Sequence, residues 1–125
     1  MRNAVTTDRA PRPVGPYSQA VIEGELVFVA GQGPGNPETG QLELGDVGSQ
    51  TRRVFSNLQA ILEAAGSSLD KVIRCNVYLK DIADFAAMNE VYAMQFQPPY
   101  PARTTIQAAA LPGGIAVEIE CVARR

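Results

Sequence analysis

Histidine is absent from this sequence of 125 residues, and that absence removes several classes of catalytic site. Ser-His-Asp and Cys-His catalysis both need an imidazole base, so neither is possible here. Most zinc and iron sites also lose their usual ligand. Any catalysis by side chains must therefore come from groups such as carboxylates, guanidinium groups and hydroxyls.

Cysteine and long apolar runs are scarce as well. The two cysteines, Cys75 and Cys121, lie in apolar stretches without Cys-x-x-Cys spacing, so we expect buried thiols in a reducing compartment rather than a disulfide. No apolar run approaches the roughly 18 residues of a membrane span. The first thirteen residues are polar and lack the apolar core of a signal peptide. A cytoplasmic protein with no membrane contact is the default expectation.

The sequence has no excess of basic residues either. Eleven basic residues against thirteen acidic ones give a net charge of −2, and only two of the basic residues are lysines. Such a surface offers no general attraction to nucleic acid or to anionic lipid. The length suits one domain over residues 1–125, with 46% hydrophobic and 19% charged residues, as in ordinary globular proteins.

The pattern of apolar residues predicts an α+β fold with the order β-β-α-β-α-β-β. The predicted strands cover residues 17–22, 26–30, 71–79, 103–110 and 115–123, and the predicted helices cover residues 46–65 and 81–96. The first two strands read as a hairpin. Asp46 and Asp81 are candidate N-caps, and Gly66 is a candidate stop signal. In strand 71–79, Ile73, Cys75 and alternate residues after them are expected on one face.

Two amphipathic helices can cover only one face of such a sheet. The other face would carry Glu118, Glu120, an arginine and several apolar side chains. Packing against further copies of the same chain is a better use of that face than exposure to water. The sequence therefore predicts self-association.

Arg103 is the most informative candidate for ligand binding. It follows a rigid proline-containing segment and begins a predicted strand, and its planar fork can grip a carboxylate through two parallel hydrogen bonds. The alternative is an ordinary solvated surface charge. Glu118 and Glu120 share one strand face, where one of them could hold and polarise a water molecule. The alternative is that both face solvent or pair with arginines.

Tyr17 and Asn89 are weaker candidates. Tyr17 directly follows Gly-Pro and is either a packing residue of the hairpin or an aromatic wall with a hydroxyl group. Asn89 is a polar residue on an apolar helical stripe. It either binds a ligand or ties down nearby backbone, because a buried amide needs hydrogen-bond partners.

Several short motifs together resemble the RidA/YjgF family of enamine and imine deaminases, from about residue 5 to the C-terminus. The matching segments are residues 15–20 (GPYSQA), 31–32 (GQ), 37–40 (PETG), 64–66 (AAG), 84–86 (DFA), 89–92 (NEVY), 101–103 (PAR) and 117–120 (VEIE). The resemblance implies a chorismate-mutase-like fold and a homotrimer in which three sheets line a central barrel. It also implies sites between neighbouring subunits and hydrolysis of 2-imino acids to 2-oxo acids and ammonia.

By position in these motifs, the resemblance implies a role for each candidate residue. Arg103 would bind the substrate carboxylate, and Glu118 would orient the attacking water. The backbone carbonyls of Gly31 and Thr105 would hold the imine nitrogen end, Tyr17 would line the cleft and Asn89 would support it. No cofactor is expected, because a protonated imine is already electrophilic.

Three positions depart from the common family pattern. Ala30 stands where many members have Ser, Thr105 replaces a frequent Cys and Gly33 replaces a common Ile. These changes affect the expected substrate choice more than the reaction class. Two alternatives stay open: a non-catalytic trimer that binds small carboxylates, and an RNA-acting inhibitor of translation, which the charge balance disfavours.

Overall fold

The computed structural model describes residues 1–125, which form six strands and two α-helices joined by loops and short 3-10 turns. The elements are β1 (Asn3–Val5), β2 (Ala20–Glu23), β3 (Leu26–Gln32), α1 (Val47–Ala64), β4 (Val72–Leu79), α2 (Phe85–Ala93), β5 (Ala102–Gln107) and β6 (Val117–Arg124). The predicted α+β order is confirmed. The structure adds one strand, β1, that the sequence does not predict, because the N-terminal segment is polar and the strand is only three residues long.

All six strands belong to one mixed sheet in the order β1-β2-β3-β6-β4-β5. Strands β2 and β3 form the predicted antiparallel hairpin. Strand β6 lies between β3 and β4 and is antiparallel to both, whereas β5 pairs with β4 in parallel. A parallel pair needs a crossover, which α2 provides. This crossover puts β5 at the sheet edge, and it puts α2 next to the side chains of β5.

Helix α1 begins and ends where the sequence predicts. The Asp46 carboxylate accepts a hydrogen bond from the backbone N–H of Ser49 at 2.8 Å, which caps the helix. The pKa of Asp46 is lowered, mainly because its carboxylate accepts hydrogen bonds from Ser49. At the other end Gly66 adopts a φ of +79°, a conformation that glycine tolerates best, and the N–H of Ser67 closes on the carbonyl of Leu62.

Both helices pack on the same face of the sheet, as predicted, and enclose the apolar core. The largest fully buried side chains come from α1, α2, β3, β4 and β6: Val27, Val54, Phe55, Leu58, Ile61, Leu62, Val77, Leu79, Met88, Val117 and Ile119. Cys75 and Cys121 are buried free thiols that face each other across β4 and β6. No helix combines the length and the apolar character that a bilayer crossing requires.

The strand ends differ from the predicted ones by up to three residues, and three other details differ as well. Ile73 is exposed rather than in the core, because a register shift between Val72 and Arg74 interrupts the alternation of β4. Helix α2 ends at Ala93 rather than at Phe96. The Asp81 carboxylate caps a 3-10 turn that precedes α2, through the N–H of Ala83 at 2.9 Å.

The second face of the sheet carries no helix. Phe28, Val122 and Ile106 supply its apolar surface, with Phe28 and Ile106 exposed. The same face carries Glu118 and Glu120, which alternate with the buried residues of β6. The mixed apolar and charged face that the sequence predicts is therefore present.

Candidate functional site

Arg103 lies in a cleft on the helix side of the sheet. Its neighbour across the parallel pair is the buried Cys75, which fixes the face to which the arginine belongs. The guanidinium carbon lies 4.6 Å from the ring centroid of Tyr92 and 5.4 Å from that of Phe85, and both rings belong to α2. The cleft has a volume of about 350 Å³. Six residues line it: Asn89, Tyr92, Ala93, Tyr100, Pro101 and Arg103.

No carboxylate of the chain pairs with Arg103. The two ion pairs of the molecule join the N-terminus to Glu23 and Arg9 to Glu63. A half-buried guanidinium with two aromatic neighbours and no acidic partner has unused donors in a fork that matches a carboxylate. The cleft can therefore bind a small organic anion.

Glu118 lies in a different cleft, of about 250 Å³, near the start of β6. Tyr17, Gly31 and Ile115 are among the residues that line this cleft with it. Gly31 packs directly on the carboxylate, since a Cβ atom built on Gly31 would lie 2.7 Å from Oε2 of Glu118. The space that the missing side chain of Gly31 leaves is thus the space that the Glu118 carboxylate occupies.

Burial and a neighbouring negative charge act on Glu118 in the same direction. Removal from water raises the pKa of Glu118, and the carboxylate of Glu120 on the same strand face raises it further. Glu120 itself accepts a hydrogen bond from the hydroxyl of Tyr78 at 2.9 Å. That bond is the main reason why the pKa of Tyr78 is raised. Glu120 is therefore hydrogen-bonded to Tyr78 on the neighbouring strand β4, whereas Glu118 faces the cleft.

Arg103 and Glu118 point to opposite faces of the sheet within one chain. In the register of β4, Arg103 lies opposite the core residue Cys75, whereas Glu118 lies opposite Tyr78 on the uncovered face. The two clefts have no lining residue in common. One chain therefore holds two separate clefts, one with the guanidinium and one with the carboxylate.

Of the remaining candidates, Asn89 and Tyr17 line different clefts and Thr105 lines neither. Asn89 lines the Arg103 cleft, and its buried side-chain oxygen has no hydrogen-bond partner, so this oxygen does not tie down the backbone. Tyr17 lines the Glu118 cleft from a loop that precedes β2. The prediction that the strand begins at Tyr17 is therefore wrong. Thr105 lines neither cleft. It lies two residues after Arg103 on the same face of β5, and its hydroxyl is buried without a partner.

Sequence reasoning missed the aromatic neighbours of Arg103. In the sequence, Phe85 and Tyr92 share the apolar stripe of the second predicted helix with Asn89, and that pattern gives no link to the arginine. Their spacing of seven residues, two helical turns, puts both rings on one face of the helix. The signal that could have found them is the parallel pairing of β5, which brings that face onto Arg103. No group of three or more acidic or thiol side chains is arranged to bind a metal ion.

Known proteins resemble this chain over nearly its whole length. A family model described as Endoribonuclease L-PSP matches residues 7–125. A RutC family protein of Pyrococcus horikoshii is 50% identical over 123 residues, which cover 98% of each chain. The 2-iminobutanoate/2-iminopropanoate deaminase of Capra hircus is 42% identical over 98% of this chain and 90% of its own length. The crystal structure of RidA from the Antarctic bacterium Psychrobacter sp. superposes with a TM-score of 0.94, at 47% identity, covering 98% of this chain and 99% of that one.

Proposed function

The chain belongs to the RidA/YjgF family, and we propose that it hydrolyses reactive 2-imino acids to 2-oxo acids and ammonia. The observation that carries this proposal is the pair of half-sites, an unpaired guanidinium in one cleft and a carboxylate with a raised pKa in the other. The name of the Capra hircus relative supports the reaction class. The substrates proposed are small imines such as 2-iminobutanoate and 2-iminopropanoate.

The substrate carboxylate binds to the Arg103 guanidinium in this proposal. Two parallel hydrogen bonds would fix both the position and the plane of the carboxylate. Tyr100 and Pro101 also line this cleft and would pack against a short aliphatic side chain of the substrate. Asn89 would support the bound molecule from α2.

Glu118 supplies the attacking water. A carboxylate with a raised pKa is a stronger base than an ordinary one, and it accepts a proton from water more readily as the oxygen attacks the imine carbon. Glu118 then gives this proton to the nitrogen of the tetrahedral adduct, the C–N bond breaks to release ammonia, and loss of the hydroxyl proton to solvent leaves the 2-oxo acid. The backbone carbonyls of Gly31 and Thr105 would accept hydrogen bonds from the protonated imine nitrogen and so favour its electrophilic form.

The two half-sites must meet between different copies of the chain, because they lie on opposite faces of the sheet. We infer a homotrimer in which the uncovered faces of three sheets form a closed barrel. The exposed Phe28 and Ile106 on that face supply apolar surface for the contact. A head-to-tail ring places the Arg103 cleft of one copy against the Glu118 cleft of the next and generates three equivalent sites.

The test is ammonia release from imines generated in the assay by a pyridoxal-phosphate-dependent dehydratase acting on threonine or serine. We expect the wild type to release ammonia faster than buffer. Glu118→Gln should lower kcat by about 10²–10⁴-fold, as expected for loss of a general base. Arg103→Ala should lower kcat/KM by about 10²-fold or more, because the substrate carboxylate loses its charged partner.

Exposed residues of the same types provide matched controls. Arg52→Ala on α1 and Glu90→Gln on α2 change the same charges outside both clefts and should leave the rate unchanged. Wild-type ammonia release no faster than buffer would reject the enzymatic proposal. If 2-oxobutanoate still bound to that inactive protein, the chain would be a carboxylate-binding protein instead.

A further inference from the structure

The guanidinium of Arg103 is positioned by aromatic rings rather than by polar partners. Its carbon lies within 4.6 Å of the Tyr92 ring centroid and 5.4 Å of the Phe85 ring centroid. Neither ion pair of the chain involves it. Cation–π attraction of this kind orients a guanidinium and leaves the N–H donors at its edge free for a ligand.

We propose that Tyr92 is a positioning residue for this reaction, and that its ring holds the Arg103 fork toward the bound carboxylate. This inference rests on the proposed function, in which Arg103 binds the substrate. Tyr92 itself touches the arginine and acts through it. The chemical step belongs to Glu118 on another copy of the chain.

Tyr92 suits this role better than Phe85 because its own ring is fixed. It is only 5% exposed, whereas Phe85 is 40% exposed. The Tyr92 ring also packs against two other buried aromatic rings, with its centroid 5.6 Å from that of Phe55 and 5.1 Å from that of Phe96. A ring held by two buried neighbours presents a fixed surface to the guanidinium, so less freedom is lost when a ligand binds.

The hydroxyl of Tyr92 is not what holds Arg103. It is buried beside the Cys75 thiol, with no hydrogen bond of normal geometry to any partner. The observed contact with the guanidinium is through the ring, and no hydrogen bond joins the hydroxyl to Arg103. Phenylalanine at this position should therefore preserve the function, whereas an aliphatic residue should not.

The chain offers a matched set of variants. Tyr92→Leu removes the ring on Arg103, and Tyr92→Phe retains it. Phe96→Leu removes a ring from the same aromatic cluster without touching the arginine, so it reports the effect of a weakened core alone. If Tyr92→Leu does not fold, Tyr92→Met replaces it under the same criteria.

Steady-state kinetics with 2-iminobutanoate give the first measurement. Tyr92→Leu should raise KM about tenfold with kcat little changed, since the ring helps to bind the carboxylate in the ground state and transition state alike. Tyr92→Phe and Phe96→Leu should keep KM within about twofold of the wild type. Equal KM values for Tyr92→Leu and Phe96→Leu would overturn the proposal.

An NMR measurement separates this proposal from the proposed function. The Nε–H proton of Arg103, assigned by its loss in Arg103→Lys, should show a ring-current shift in the wild type, in Tyr92→Phe and in Phe96→Leu. The shift should become clearly smaller in Tyr92→Leu, in which only the more distant Phe85 ring remains beside the guanidinium. This result does not depend on turnover, so it holds even if the protein released no ammonia. An unchanged shift in Tyr92→Leu would show that the ring does not position the guanidinium.

Discussion

Two inactive variants should restore each other's activity when they share an oligomer. Arg103→Ala destroys the guanidinium half-site and leaves Glu118 intact, and Glu118→Gln does the reverse. These residues point to opposite faces of the sheet. In the proposed ring, each working site therefore takes its arginine from one chain and its glutamate from the next. A mixed oligomer then contains some sites in which both residues are native.

The expected recovery follows from the ring geometry. In an equal mixture with random assembly, a site works only when its arginine donor is the Glu118→Gln chain and its glutamate donor is the Arg103→Ala chain. That combination occurs in about one quarter of the sites of any closed ring, so activity should recover to about one quarter of the wild-type value. Each mixed trimer contains one working site, whatever its composition.

The assay is ammonia release after the two variants are unfolded together and refolded, with wild type treated in the same way as the reference. The control is wild type mixed equally with the double variant Arg103→Ala/Glu118→Gln. Sites shared between chains predict about one quarter activity in this control as well, whereas sites within one chain predict about one half. No recovery in the first mixture and one half in the control would refute the shared site.

Two further substitutions test the environment of Glu118, and a third tests the stability of α1. Activity should fall as the pH drops through the raised pKa of Glu118, because water activation needs the ionised carboxylate. Glu120→Gln removes the neighbouring charge and should move this acidic limb of the pH profile to lower pH. A limb that stays in place would contradict the effect of Glu120 on Glu118. Gly31→Ala should displace the Glu118 carboxylate and lower kcat in the ammonia assay, and wild-type kcat would contradict the contact. A Cβ at Gly48 on α1 would make only ordinary van der Waals contacts. Gly48→Ala should therefore raise the free energy of unfolding, measured by urea titration, by about 0.4–1 kcal/mol with kcat unchanged. A loss of stability would contradict this expectation.

Much of the fold could be predicted because local signals and packing agree. The cap at Asp46 and the positive-φ stop at Gly66 lie where the sequence placed them. Alternation along β6 correctly separated Glu118 from the core. Ile73 was misassigned, because a register shift in one strand depends on its pairing partner and leaves no mark in the alternation of residues.

The separation of the candidate site into halves could not be predicted from spacing. It follows from the parallel pairing of β5 with β4, which is a long-range contact that sets the face of Arg103. The same pairing brings Tyr92 onto the arginine. The motifs that resemble the RidA/YjgF family supplied the candidate residues, but the face of the sheet that each side chain occupies comes from the tertiary structure.

The most direct measurement is a crystal structure of the protein grown with 2-oxobutanoate, the proposed product. We expect its carboxylate to accept two parallel hydrogen bonds from the Arg103 guanidinium of one chain. Its carbonyl carbon should face the Glu118 carboxylate of the adjacent chain. A product bound away from Arg103, or an Arg103 guanidinium turned into solvent while the product is bound, would contradict the proposed site and the chemistry built on it.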